Sequence, residues 1–145
     1  LYQEKRDKIV LLDFGATQKI TPNLSKKFRT LLRATWRNDE VDIKTALTDL
    51  NILHPSFPSH FEEIFMEIFL DATKPIREKK TFDFREIRII EKIQNHAQEI
   101  ISYQKKIKVP DMATLLIQRK VGGLFFMAKH LSASIDLNKL LKDYV

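Results

Sequence analysis

Asp13, Phe14 and Gly15 are the residues of this chain whose types and order could do chemistry. They close an apolar run, Ile9-Val10-Leu11-Leu12, and lead directly into sequence with helical character. A carboxylate at the end of a buried strand can offer one oxygen to a magnesium ion, which keeps several of its waters and needs few protein ligands. Gly15 can turn the backbone through a positive φ, and in such a turn Asp13 could equally be a simple cap. The residues alone leave both roles open. If the chain takes part in catalysis, Asp13 is the one side chain with a nameable part in it.

Other constellations do not reach that level. His54, His60, His96 and His130 lack the i, i+4 spacing around a glutamate that makes a zinc-protease helix. There is no nucleophile elbow and no glycine-rich phosphate loop. The carboxylate pairs Asp39-Glu40 and Glu62-Glu63 are adjacent, so on a helix they point apart and read as surface charge. Cysteine is absent, which excludes disulfides and thiolate zinc sites and fits a reducing compartment. The net charge of +6 comes from small scattered groups, Lys26-Lys27, Lys79-Lys80 and Lys105-Lys106, interleaved with acids and accompanied by no nucleic-acid-binding motif. A solvated polar surface is expected, and no nucleic-acid partner.

The elements that would hold Asp13 can be read around it. Leu1-Tyr2-Gln3 and Lys8 to Leu12 flank the charged connection Glu4-Lys5-Arg6-Asp7, which predicts a two-stranded hairpin ending in the motif. Thr21 before Pro22 is an N-cap with a proline at the first helical position, and Leu24, Phe28, Leu31, Leu32 and Trp36 then share one face. Asn38-Asp39 ends that helix or caps the next, whose apolar face carries Val41, Ile43, Ala46, Leu47 and Leu50. After the proline-punctuated loop from His54 to Pro58, Ser59 and Glu62 predict a capping box for a helix with Phe61, Ile64, Phe65, Ile68 and Phe69. Lys74 to Lys80 reads as a charged connection around Pro75. Asp83 and Glu86 predict a second capping box, opening a long helix to about Lys106 with Ile87, Ile90, Ile93 or Gln94, Ala97, Ile100 and Ile101 near one side. Asp83-Phe84 is not a second metal motif, because Arg85 replaces the glycine.

Pro110 is expected to open a last long helix that is apolar on more than one side and therefore central and buried. Gly122-Gly123 in its middle predicts the close approach of another backbone in preference to a break. Asp136 caps a short final helix. At 145 residues and 43% hydrophobic content, the whole chain, 1–145, is expected to be one mainly α domain, with a hairpin over 1–15 and about six helices over 16–145. The longest apolar run, Val121 to Ala128, is far short of the ~20 residues that span a bilayer.

Three segments carry a family resemblance: Val10 to Thr17 around Asp13-Phe14-Gly15, then Phe82-Asp83-Phe84, then Arg119 to Phe125. In their order and spacing they resemble the UbiB/AarF/ADCK family of atypical kinase-like ATPases, above all the coenzyme Q branch, from the metal motif onward. The resemblance implies a protein-kinase-like C-lobe. It also implies Mg-ATP as cofactor in the intact protein, with Asp13 as the magnesium ligand, Phe14 packed on the lobe and Gly15 at the turn. It implies ATPase or small-molecule kinase activity beside membranes that handle isoprenoid lipids. The partners implied are then ATP, isoprenoid lipids or quinone-biosynthesis proteins, and a membrane surface, in the cytoplasm or an organellar matrix. The family's phosphate-covering loop, strand lysine with its glutamate, and catalytic-loop Asp and Asn lie upstream of Asp-Phe-Gly and have no counterpart here. The start at Leu1, twelve residues before Asp13, therefore reads as the back half of a site, inactive by itself, with no catalytic residue of its own. The competing expectation is a stand-alone, non-enzymatic helical interaction module.

Overall fold

A short antiparallel hairpin precedes the helices: β1 (Tyr2–Gln3) pairs with β2 (Lys8–Ile9), Tyr2 opposite Ile9 and Gln3 opposite Lys8. The computed structural model describes residues 2–10, 17–86, 89–96, 98 and 110–145. Glu4 to Arg6 make a 3-10 turn between the strands, and Asp7 closes it in the left-handed region at φ 47°. The hairpin is where the sequence predicted it.

Local chemistry sets the start of α1 (Pro22–Arg37). Thr21 Oγ1 accepts the Leu24 amide hydrogen at 3.3 Å, and Pro22 takes the first turn, where an N–H would have no helical partner. The helix stops at Asn38, left-handed at φ 57°, whose N–H returns to the Ala34 and Thr35 carbonyls. Asp39 then starts α2 (Glu40–Asp49), its carboxylate accepting the Asp42 amide at 3.0 Å. Asn38-Asp39 thus does both things the sequence allowed. The corner brings α2 against α1.

The core forms around α2. Ile43, Ala46, Leu47 and Leu50 are all but inaccessible, and Leu31 and Ala34 of α1, Leu53 and Phe57 of the following loop, and Phe61 complete the cluster. Val41 does not join them and is 76% exposed. It stands two residues, roughly 200° around the helix, from Ile43, so it faces away from the side that α1 and α3 cover. The loop itself is drawn inward because Asn51 turns left-handed and the Ile52 and Leu53 amides both reach back to the Leu47 carbonyl, at 2.9 and 3.2 Å. The Lys27 ammonium donates to the Asp49 carbonyl at 2.7 Å, placing a cation at the C-terminal end of α2.

α3 (Ser59–Arg77) departs from expectation at both ends. Pro58 is its N-cap and no side chain caps it, so Ser59 is already helical and the Ser59–Glu62 box is not formed. Glu62 is instead ion-paired with Lys44 of α2. At the other end the predicted connection around Pro75 is helix through Arg77, with Pro75 buried. Pro75 falls in the last turns, where its missing N–H leaves only the carbonyl of residue 71 without a helical donor. Nearby carbonyls gain side-chain donors: the Thr73 hydroxyl reaches the Phe69 carbonyl at 2.8 Å, and the Arg77 guanidinium reaches Leu70 at 2.7 Å.

The second capping box is also replaced. Phe82–Asp83 form β3, paired antiparallel with β4 (Ser134–Ile135), and Phe84–Glu86 make a 3-10 turn. The Asp83 carboxylate accepts the Arg85 amide at 2.9 Å, two residues on, where a capping box would use the amide three on. α4 (Ile89–Asn95) follows. The rest of the predicted helix to Lys106, with Ile87, Ala97, Ile100 and Ile101, lies outside the described residues.

α5 (Met112–His130) begins after Asp111, which accepts the Thr114 amide at 2.8 Å, so Pro110 stands two residues before the helix proper. The expectation of a central, buried helix is not met. Among the described residues, Val121, Leu124, Met127 and Leu131 are exposed, Leu131 by 69%. Among the described residues, the 3-10 turn at Phe84 packs against α5, where Phe84 meets Phe125. A Cβ added at Gly122 or Gly123 would meet nothing within 4 Å among the described residues, so the predicted close backbone approach is absent, and the helix runs unbroken through both. α6 (Leu137–Leu141) is capped by Asp136, as expected. The result is a mainly α chain, with six α-helices among the described residues.

Two substitutions test this core. Leu47→Ala leaves a cavity under α1 and should cost about 2–5 kcal/mol in chemical denaturation. Thr114 is fully buried, and its hydroxyl has no hydrogen-bond partner among the described residues. Thr114→Val keeps the shape and removes the unpaired group, so it should be neutral or stabilising by about 1 kcal/mol; a clear loss of stability would mean the hydroxyl is bonded after all.

Candidate functional site

Asp13, Phe14 and Gly15 lie outside the described residues. Their approach is described. The hairpin stands in solvent: Ile9 is 78% exposed, and Val10 after it is half-buried. The expectation of a buried strand before the motif therefore does not hold over Lys8 and Ile9. The turn is fixed by the Tyr2 hydroxyl, which donates to Asp7 Oδ1 at 2.7 Å, and this bond raises the Tyr2 pKa above its ordinary value.

The other two family segments meet. Phe84, 2% exposed, lies between Phe82 (ring centroids 5.3 Å apart, planes at 83°) and Phe125 (5.5 Å, 70°), both edge to face. Its amide donates to the Ala133 carbonyl at 3.0 Å, extending the β3–β4 contact. These segments, whose contacting Phe84 and Phe125 are 41 positions apart in sequence, form one packed aromatic joint. The joint fastens α5 to the end of β3, and its chemistry is packing.

Asp83, within that joint, is engaged by Arg85, whose Nε donates to both carboxylate oxygens at 2.9 Å. The Arg85 side chain, then its amide, holds the Asp83 carboxyl well below the usual carboxylate value, at about 2. A carboxylate already bound by a guanidinium is a poor ligand for an added cation.

Beside it opens a cleft of about 500 Å³ between the end of α3, β3 and α4. Its acids are largely matched by bases: Asp71 pairs with Lys92, which also holds Glu67 at 2.8 Å, and Glu78 takes Lys80 at 3.2 Å and Lys74 at 3.7 Å. Lys92 is held above its ordinary pKa by Asp71 first and then Glu67. Such a cleft offers no bare carboxylate cluster, and among the described residues no group of three or more His, Cys, Asp or Glu could hold a metal ion.

Asn138 is a residue the sequence did not single out. It is buried and its Nδ2 donates to the Ile76 carbonyl at 2.8 Å, tying α6 to the end of α3. A lone asparagine two residues after a cap carries no periodic signal that would have marked it.

Known proteins resemble this chain over nearly its whole length. The mitochondrial atypical kinase COQ8 of Saccharomyces cerevisiae is 25% identical over 145 residues, covering 99% of this chain and 28% of that protein. The mitochondrial atypical kinases COQ8B of Rattus norvegicus and Danio rerio are 22% and 21% identical, covering 99% and 98% of this chain and 27% and 22% of theirs. The chain thus spans about a quarter of the length of the curated relatives it matches. No protein-family model matches it. The matches bear out the family resemblance read from the three segments.

The Asp83–Arg85 link sets an acid dependence. Because the folded pKa is depressed from 3.8 to about 2, the stability it contributes is complete above about pH 4 and is lost as the pH falls toward 2. The stability gap between the parent and Asp83→Asn should be small, since solvent screens the pair, but present at pH 7 and closing below pH 4 in urea titrations. A gap of the same size at pH 7 and at pH 2.5 would rule the link out.

Proposed function

This chain is a sequence relative of the COQ8-type atypical kinases of the UbiB family, and from that premise we propose that it is the C-lobe of a UbiB-type kinase-like ATPase or small-molecule kinase that supports isoprenoid-quinone biosynthesis. In this reading residues 1–145 act as one domain. Asp13 would hold the magnesium of Mg-ATP, which would supply charge neutralisation at the phosphates, Phe14 would pack on the lobe, and Gly15 would turn the chain. The carrying observation is that the relationship runs the length of the chain with the Asp-Phe-Gly motif directly after a hairpin. One carboxylate with retained waters suits magnesium, and the ion would neutralise charge developing on the transferred phosphoryl group.

Positioning of the γ-phosphate and activation of the acceptor need groups that this sequence does not contain, so the chain alone is inactive and works joined to a nucleotide-binding lobe. The relatives are named as mitochondrial proteins, and an organellar matrix is the corresponding location. No helix among the described residues is long and apolar enough to cross a membrane. The interaction-module reading draws on one observation, the bare apolar side of α5.

In the full-length protein, Asp13→Asn should lower magnesium-dependent ATP turnover by at least about a hundredfold, the order of loss when one stabilising electrostatic group is removed from a reaction centre. Circular dichroism and melting temperature should stay unchanged. Turnover retained by a folded variant would remove Asp13 from the metal site and favour the interaction module.

A further inference from the structure

One side of α5 is open to solvent and mixes two chemistries. Met112, Leu124, Phe126, Met127 and the C-cap Leu131 are all exposed, Phe126 by 59%. Arg119 and Lys120 are exposed as well, and among the described residues neither side chain has a hydrogen bond or ion pair, whereas Arg37, Arg77 and Arg85 are all engaged. At about 100° per residue these positions fall within an arc of about 160°, opposite buried Thr114 and the Phe125 ring that meets Phe84. No acidic residue occurs from Met112 to Ile135.

The charge narrows what can cover this side. A second copy of the chain, laid on it by the same face, would bring the cations of both copies together with no acid to answer them. A helix from another protein would engage a narrow stripe, yet here the apolar residues spread over nearly half the circumference, with the two cations among them and not along their margins. A lipid surface takes both at once. The apolar side chains enter the boundary between headgroups and acyl chains, while guanidinium and ammonium reach the anionic phosphates on their flexible stems.

We propose that this face of α5 docks flat on an anionic phospholipid surface, with Phe126, Met127 and Leu131 at the boundary of headgroups and acyl chains and Arg119 and Lys120 on lipid phosphates. Docking is read without nucleotide, so its failure is distinguishable from a failure of the Asp13 reading.

Indole reporters in the full-length protein test the docking, on vesicles of phosphatidylcholine with phosphatidylserine whose acyl chains are brominated. The indole of Phe126→Trp should shift its emission to the blue and be quenched on these vesicles, while that of Val41→Trp, on the outer side of α2, should not be quenched. The effect should be weak on phosphatidylcholine alone and fade as salt rises. Arg119→Gln combined with Lys120→Gln should weaken the vesicle affinity of the Phe126→Trp reporter about five- to thirtyfold. The same charge loss on exposed positions of α1, Lys26→Gln with Arg33→Gln, should leave it nearly unchanged, and circular dichroism should be the same for all variants. Absence of quenching at the Phe126→Trp reporter, equal quenching at both reporters, or equal weakening by the two pairs of substitutions would overturn the proposal. A blue shift that needs no vesicles and grows with protein concentration would also overturn it, in favour of a second copy.

Discussion

Because α3 carries Phe61, Ile64, Phe65 and Phe69 along 19 residues, and an apolar stripe of that length must be covered, three of the other described helices take their places from it. α1 packs on it beside α2, α4 lies along it, and α6 docks at its far end. Phe57 at its entrance stacks edge to face on Phe61, with ring centroids 4.9 Å apart. The loop before α3 is thereby part of the core, and the α1–α2 corner is held against it.

The two ends of α3 are fastened by different forces. Near its start the fastening is hydrophobic, through Ile43, Leu47, Leu50 and Leu53, and is not directional. Near its end it is polar and specific: Arg77 and Thr73 serve the carbonyls around Pro75, and Asn138 holds the Ile76 carbonyl. Buried polar bonds of this kind add modest net stability, but they fix a position, since each leaves an unpaired group if the contact slips. The end of α3 is also where the strands β3 and β4 and the charged cleft gather.

What could be read from sequence follows the range of the interaction concerned. The caps at Thr21, Asp39 and Asp136 involve residues within three positions, so the residue types suffice. The hairpin was legible for the same reason. Ser59 and Asp83 carry the same local signature, yet at Ser59 a preceding proline takes the cap position, and at Asp83 pairing with Ser134, some fifty residues on, makes a strand where a cap was expected. Pro75 misled because in the last turns a proline removes only one helical donor, too small a loss to stop the helix before Arg77. The apolar pattern of α5 says that it dislikes water on several sides, but not which sides find a partner. Of the candidate site, the motif and its hairpin approach were legible, while the contact between the second and third family segments was not, because nothing in either segment names the other.

The paired glycines of α5 give the helix an uneven grip. Its first half is anchored by the capped and buried Thr114, its second by Phe125 on Phe84 and by the turn into β4, and between them lie two residues with no side chain to pack and the highest backbone entropy to lose. Amide hydrogens around Gly122 and Gly123 should therefore exchange with solvent by local opening, ahead of those of the α1–α2 core.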